Sequence, residues 1–167
     1  MGDFPQPIVG ILEPHPFQDS LLMTLVLAIP LIMLGGSLGA ICRFLVQGFI
    51  ASSTRLPGWC GILAVNLLGS FLIGLFVAWI SGDLSALRAS SLSPASIAIE
   101  TIELGELLAF TAVGFCGAFT TFSSFSLDSF FLAVENRWHL AINLLCSVFG
   151  CYFAAVGGWA LGSLAAT

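Results

Sequence analysis

The chain has 167 residues, of which 58% are hydrophobic and 8% charged, whereas an ordinary soluble domain is roughly a quarter charged. With a mean hydropathy of +1.07 this is the composition of an integral membrane protein. A formal charge of −5 argues against nucleic acid as a partner, because phosphate binding needs a basic face. One crossing takes ~20 apolar residues, so the length suits about four helices in a single all-α domain.

Residues 1–20 carry Asp3, Glu13 and Asp19 among Pro5, Pro7, Pro14 and Pro16, with no Lys or Arg. Lacking a positive n-region, they read as a mobile, solvated tail rather than a secretory signal. The transmembrane domain then occupies 21–167, with spans at about 21–50, 58–81, 106–134 and 138–162. The first opens with 22 uncharged positions, Leu21 to Cys42. Pro30 is a potential kink in it, and Gly35 and Gly39, one turn apart, let another helix approach closely. Arg43 follows, either snorkelling to headgroups from a helix end or standing as a fixed cation in a wet vestibule.

The second span lies between Pro57-Gly58 and Ser81-Gly82. Its segment N-L-L-G-S-F-L-I-G sets Asn66 and Ser70 on one small, polar face with Gly69 and Gly74 beside them. Asn66 either hydrogen-bonds a neighbouring helix or turns its amide donors toward a pore. Asp83 to Gly105 reads as the longest connection, serine-rich and ending near Glu100, Glu103 and Glu106. Those glutamates recur at helical spacing, as in an acidic interfacial turn.

The third span contains G-F-C-G-A-F-T-T-F-S-S-F, Gly114 to Phe125. Glycines and hydroxyl residues among four phenylalanines suit a helix broken within Gly117 to Thr121. The carbonyls such a break frees must be buried in protein or face an ion, because lipid offers them no partner. In the fourth span Asn143, Ser147 and Cys151 recur every fourth position as a polar stripe.

The chemistry of these residues is narrow. There is no Ser-His-Asp pattern, phosphate loop or intramembrane carboxylate pair, so an enzyme is not expected. Five cysteines without C-x-x-C spacing or a histidine cluster read as small core residues rather than metal ligands. What remains is a set of neutral donors, Asn66, Ser70, Thr120, Thr121, Ser123, Ser124, Asn143 and Ser147, which suit replacing part of the hydration shell of a small anion. Phe122 and Phe125, three apart on one helical face, either pack as ordinary core rings or offer ring edges of partial positive charge to the same anion. A second class, a four-helix proton-coupled exporter, normally carries an acid deep in a span. The first span here has none, and Asp128 is the one candidate in the third.

Taken together, G-G-S-L-G-A-I-C-R, N-L-L-G-S-F-L-I-G and G-F-C-G-A-F-T-T-F-S-S-F resemble, in order, the signatures of the Fluc family of fluoride channels, also called CrcB. The resemblance implies an antiparallel, dual-topology homodimer in the cell membrane that passively exports cytoplasmic fluoride and so relieves fluoride toxicity. It further implies a structural sodium ion on carbonyls at Gly117 and Thr120. The fluoride pathway it implies runs over Phe122, Phe125, Asn66, Ser123, Ser124, Thr121, Asn143 and Ser147, with Arg43 in the vestibule. Dual topology fits the charges: lysine is absent, Arg88 lies on one side of the four-span plan, and Arg55 and Arg137 lie on the other.

Overall fold

A computed structural model describes residues 16–53, 56–89 and 93–165. The tail before Pro16, with Arg55, lies outside the described residues. Six α-helices and one π-helical stretch follow in order: α1 (Pro16–Ser53), α2 (Trp59–Ala89), α3 (Pro94–Leu108), the π-helical stretch (Ala109–Cys116), α4 (Gly117–Phe119), α5 (Phe122–Glu135) and α6 (Arg137–Ala165). Among the described residues, four segments are long and apolar enough to cross a bilayer: Val26–Ser53, Trp59–Ala86, Ile99–Glu135 and Arg137–Ala165. The third crossing is made of α3, the π-helical stretch, α4 and α5 joined end to end.

Local chemistry sets the ends. The turn before α2 is closed by Cys60 N–H on the Pro57 carbonyl at 3.0 Å and Gly61 N–H on Gly58 at 3.2 Å. Ser93 caps α3, accepting from Ser96 N–H at 3.3 Å, and Pro94 occupies the first helical position, where a missing N–H costs nothing. Between α5 and α6, the Asn136 side chain accepts from Trp138 and His139 N–H at 3.0 and 3.3 Å, which caps α6. The broad connection expected over Asp83 to Gly105 is mostly helix. Ser81 and Ser85 fold their hydroxyls back onto the carbonyls of Val77 and Ser81, so serine does not interrupt α2. α1 likewise runs through Pro30 and begins at Pro16, inside the stretch expected as tail.

Two packed pairs make the bundle. α2 lies parallel to α6, with Gly74 against the Ala155 carbonyl and Gly158 against that of Phe71, approaches too close for any Cβ. α1 lies against the π-helical stretch in the same manner, Gly35 and Gly39 facing the carbonyls of Phe110 and Phe115. Along α2, Trp59 and Trp79 stand roughly 30 Å apart by helical rise, and Trp138 and Trp159 repeat that separation on α6. The four indoles thus stand in two groups about one hydrocarbon thickness apart, a spacing that suits the two membrane surfaces.

The π-helical stretch is the element that sequence patterning does not anticipate. Within the crossing Thr111 Oγ1 bonds the Leu107 carbonyl at 2.7 Å, competing with the helical ladder. The Gly117 N–H then reaches back to Ala112 and Gly114 carbonyls. Gly114 sits hard against the backbone of Ile32, so the wider coil is fitted to α1.

Candidate functional site

The helix breaks at Thr120 and Thr121, whose backbones are extended, with φ/ψ of −75°/157° and −147°/115°. The expected break therefore falls at the last two residues of the Gly117 to Thr121 window. Thr120 keeps its N–H and hydroxyl on the Cys116 carbonyl, each at 3.0 Å, so the upstream turn closes regularly. Thr121 N–H donates to Asn66 Oδ1 at 2.8 Å, and the Thr121 carbonyl accepts from Asn66 Nδ2 at 3.2 Å. One side-chain amide on α2 thus replaces the acceptor that Thr121 N–H loses at the break and adds a second donor to the Thr121 carbonyl, which as an N-cap also begins the α5 ladder. Of the two readings open for Asn66, the interhelical bond is made, and one of its two amide hydrogens is left over.

Downstream, Thr121 is the N-cap of α5. Its Oγ1 accepts from Ser124 N–H at 3.3 Å and lies 3.1 and 3.3 Å from the hydroxyls of Ser124 and Ser123. The break frees the carbonyls of Gly117 to Thr120 from their helical donors. Thr121 N–H would serve the Gly117 carbonyl in an unbroken helix, and Ser124 N–H that of Thr120; both donors are engaged elsewhere. Gly117 is also exposed on the single chain, with only the Ala112 carbonyl, at 4.0 Å, near where a Cβ would stand.

A cavity of about 360 Å³ opens beside the break, lined by Asn66, Ser70, Ile73, Thr120, Thr121, Phe122, Phe125, Ser147, Val148 and Cys151. The rings of Phe122 and Phe125 lie 6.0 Å apart at 45° to one another. From the fourth crossing Ser147 reaches the cavity and Asn143 stands behind it: Ser147 Oγ lies 3.5 Å from Asn143 Oδ1, and Asn143 Nδ2 donates to Ser129 Oγ at 3.3 Å. Asn143 is 2% exposed and Ser147 8%, so this chain of polar groups is sequestered from lipid. No lining residue is acidic.

The structure thus gathers Asn66, Thr121, Phe122, Phe125 and Ser147 of the expected pathway, with Ser70 and Cys151. It does not place Ser123, Ser124, Asn143 or Arg43 in the lining. Ser124 is turned to the Thr121 cap, and Asn143 is one step removed. Arg43 shares the depth of the break, since Gly61 lies against Gln47 one turn further along α1, yet belongs to another face. Ser129 was not foreseen. It lies four positions beyond Phe125, on the same face of α5, and that spacing is the signal that finds it.

A larger cavity, about 540 Å³, lies between the ends of α2 and α3 among Asp83, Ala86, Glu100, Glu103, Leu104 and Leu107. Size does not make it the anion site, because its carboxylates repel anions. The five cysteines are all free thiols, and among the described residues no group of His, Cys, Asp and Glu is disposed to hold a metal.

Residues 30–159 match the family described as CrcB-like protein, Camphor Resistance (CrcB). The chain belongs to this family. Among its relatives is a protein of Methanococcus maripaludis, 41% identical over 124 residues, covering 72% of this chain and 84% of the relative. Another, from Methanocaldococcus jannaschii, is 40% identical over 131 residues, 75% and 90% of the two chains. A third, from Gluconobacter oxydans, is 37% identical over 137 residues, 81% and 82%. All three are named fluoride-specific ion channel FluC. The CrcB chain described here is accordingly a multi-pass membrane protein of a channel family, not an enzyme.

Proposed function

We propose that this CrcB protein is a fluoride-selective passive channel that exports fluoride from the cytoplasm across the cell membrane. The observation that carries the reading is the 360 Å³ cavity, where neutral donors from α2, the break and α6 converge on the paired phenylalanines with no carboxylate among them. A dehydrating anion finds there the free amide hydrogen of Asn66, the hydroxyls of Ser70 and Ser147, and the ring edges of Phe122 and Phe125. Since these groups carry no net charge, they hold the ion weakly enough to release it, and no energy source is required.

The working unit is an antiparallel, dual-topology homodimer. Phe122 is 80% exposed on the single chain, and Ser123 beside it is exposed at membrane depth. Lipid satisfies neither a polar break nor its hydroxyls, so a second copy supported on that face completes the path. A structural sodium ion fits the same region. The Gly117 and Thr120 carbonyls, which the family resemblance implies as its ligands, are among the four that the break frees of helical donors, and hard oxygen ligands of this kind suit a small cation. Bound there, sodium supplies a fixed positive charge at the break.

The competing reading, a proton-coupled exporter, needs a titratable acid near mid-membrane. Asp128 instead lies at one end, in a cavity with Pro57, Trp59, Glu135 and His139. Efflux of fluoride and chloride from liposomes containing the purified protein, followed with ion-selective electrodes, tests the proposal. Fluoride is expected to leave while chloride stays, in sodium-containing buffer without a pH gradient. Equal loss of both ions, or no fluoride loss, overturns it.

A further inference from the structure

Beyond the groups that face the anion, α2 carries a feature that acts on the break itself. Asn66 and Gly69 stand on one face of α2, three residues apart, and each meets one residue of the break. Asn66 pairs with the Thr121 peptide through its two bonds of 2.8 and 3.2 Å. Gly69 receives Thr120: a Cβ built on Gly69 collides with Thr120 Cγ2 and comes within 3.3 Å of Phe119 Cδ1. Thr120 is tethered from its other side, its hydroxyl and N–H both held by the Cys116 carbonyl. Its methyl therefore has nowhere to retreat to without turning the Thr120 backbone.

We propose that Gly69 is a positioning residue of the channel: with Asn66 it forms a two-point seat on α2 that fixes where the break lies and hence where Phe122 and Phe125 meet the ion. Phe122 follows the seated Thr121 directly in the chain, and Phe125 is one helical turn further, so a shift at Thr120 is transmitted to both rings. The seat belongs to α2: the glycines of α1 receive the π-helical stretch and Ala118 upstream of the break rather than Thr120. Resting as it does on the channel reading, the proposal needs a test that separates the two.

That test is a compensation experiment on the full-length protein in liposomes, using Gly69→Ala, Thr120→Ser and the double variant, with fluoride and chloride efflux and thermal unfolding measured for each. Thr120→Ser removes the colliding methyl and keeps the hydroxyl on Cys116. Gly69→Ala is expected to slow fluoride efflux by about tenfold or more, as overpacking of a tight contact does, and to narrow the ratio of fluoride to chloride flux. Adding Thr120→Ser is expected to restore both to within about threefold of wild type, because the added Cβ then fills the vacated methyl volume. Normal flux in Gly69→Ala, or a loss that Thr120→Ser does not restore, overturns the seat. If wild type itself passes no fluoride the channel reading fails, while recovery of the unfolding temperature in the double variant still decides whether Thr120 sits on Gly69.

Discussion

Two of the cavities in this chain share α2 as a wall and differ in what they offer an ion. The one at the break is smaller, about 360 Å³, and neutral. The one between α2 and α3 is larger, about 540 Å³, and lined by Asp83, Glu100 and Glu103. At ~4 Å two like charges repel by about 1 kcal/mol in water and by roughly 4 kcal/mol near a protein surface. On the proposed function a fluoride ion is therefore kept from the roomier cavity and accepted by the tighter one, whose hydroxyls and amide replace lost water. For an anion, the sign and arrangement of the lining outweigh volume.

Making the neutral cavity resemble the acidic one breaks that contrast most severely. Asn66→Asp keeps an acceptor for Thr121 N–H, but removes the donor to the Thr121 carbonyl and sets a charge beside Phe122. Fluoride efflux is expected to fall by at least about a hundredfold, from the repulsion alone. Phe122→Ile and Phe125→Ile come next: each removes ring edges while keeping an apolar side chain, and about tenfold slower fluoride efflux is expected from an aromatic contribution of roughly 1.4 kcal/mol. Elution of both variants from a sizing column should match wild type, which separates loss of coordination from loss of assembly.

Ser147→Ala is milder. It deletes one hydroxyl and leaves Asn143 its bond to Ser129, so a reduction of roughly fivefold follows from a typical net hydrogen-bond contribution. Least of all is expected from the other cavity. Replacing Asp83, Glu100 and Glu103 together by their amides should change fluoride efflux by less than about twofold at physiological salt, since Asp83 stands about 20 Å along α2 from Ser70 by helical rise, well beyond the ~8 Å screening length. A large gain in this triple variant would mean that the acidic face stands over the path.

The legibility of these regions in the sequence differed for physical reasons. The crossings are written in apolar runs, and the break in a density of glycine and threonine that few regular membrane helices carry. Phe122, Phe125 and Asn66 were visible because aromatic and amide groups stand out against aliphatic residues. The partner of Asn66 was not visible, since its bond to Thr121 spans 55 residues of chain and no local pattern encodes it. The π-helical stretch was hidden for a related reason, its course depending on Gly35 and Gly39 of α1. Nor did composition reveal that α2 and α3 extend through the serine-rich connection, because turn-forming residues also serve as caps and as hydroxyls folded back onto a helix.

The most direct test of an anion path without a coupled proton is electrical. With the protein in a planar bilayer, fluoride on one side and an equal concentration of chloride on the other at matched pH, the current is expected to reverse at a large potential of the sign set by fluoride. Imposing a pH gradient should leave that potential unmoved. A reversal near zero, or one that follows the pH gradient, would contradict the account.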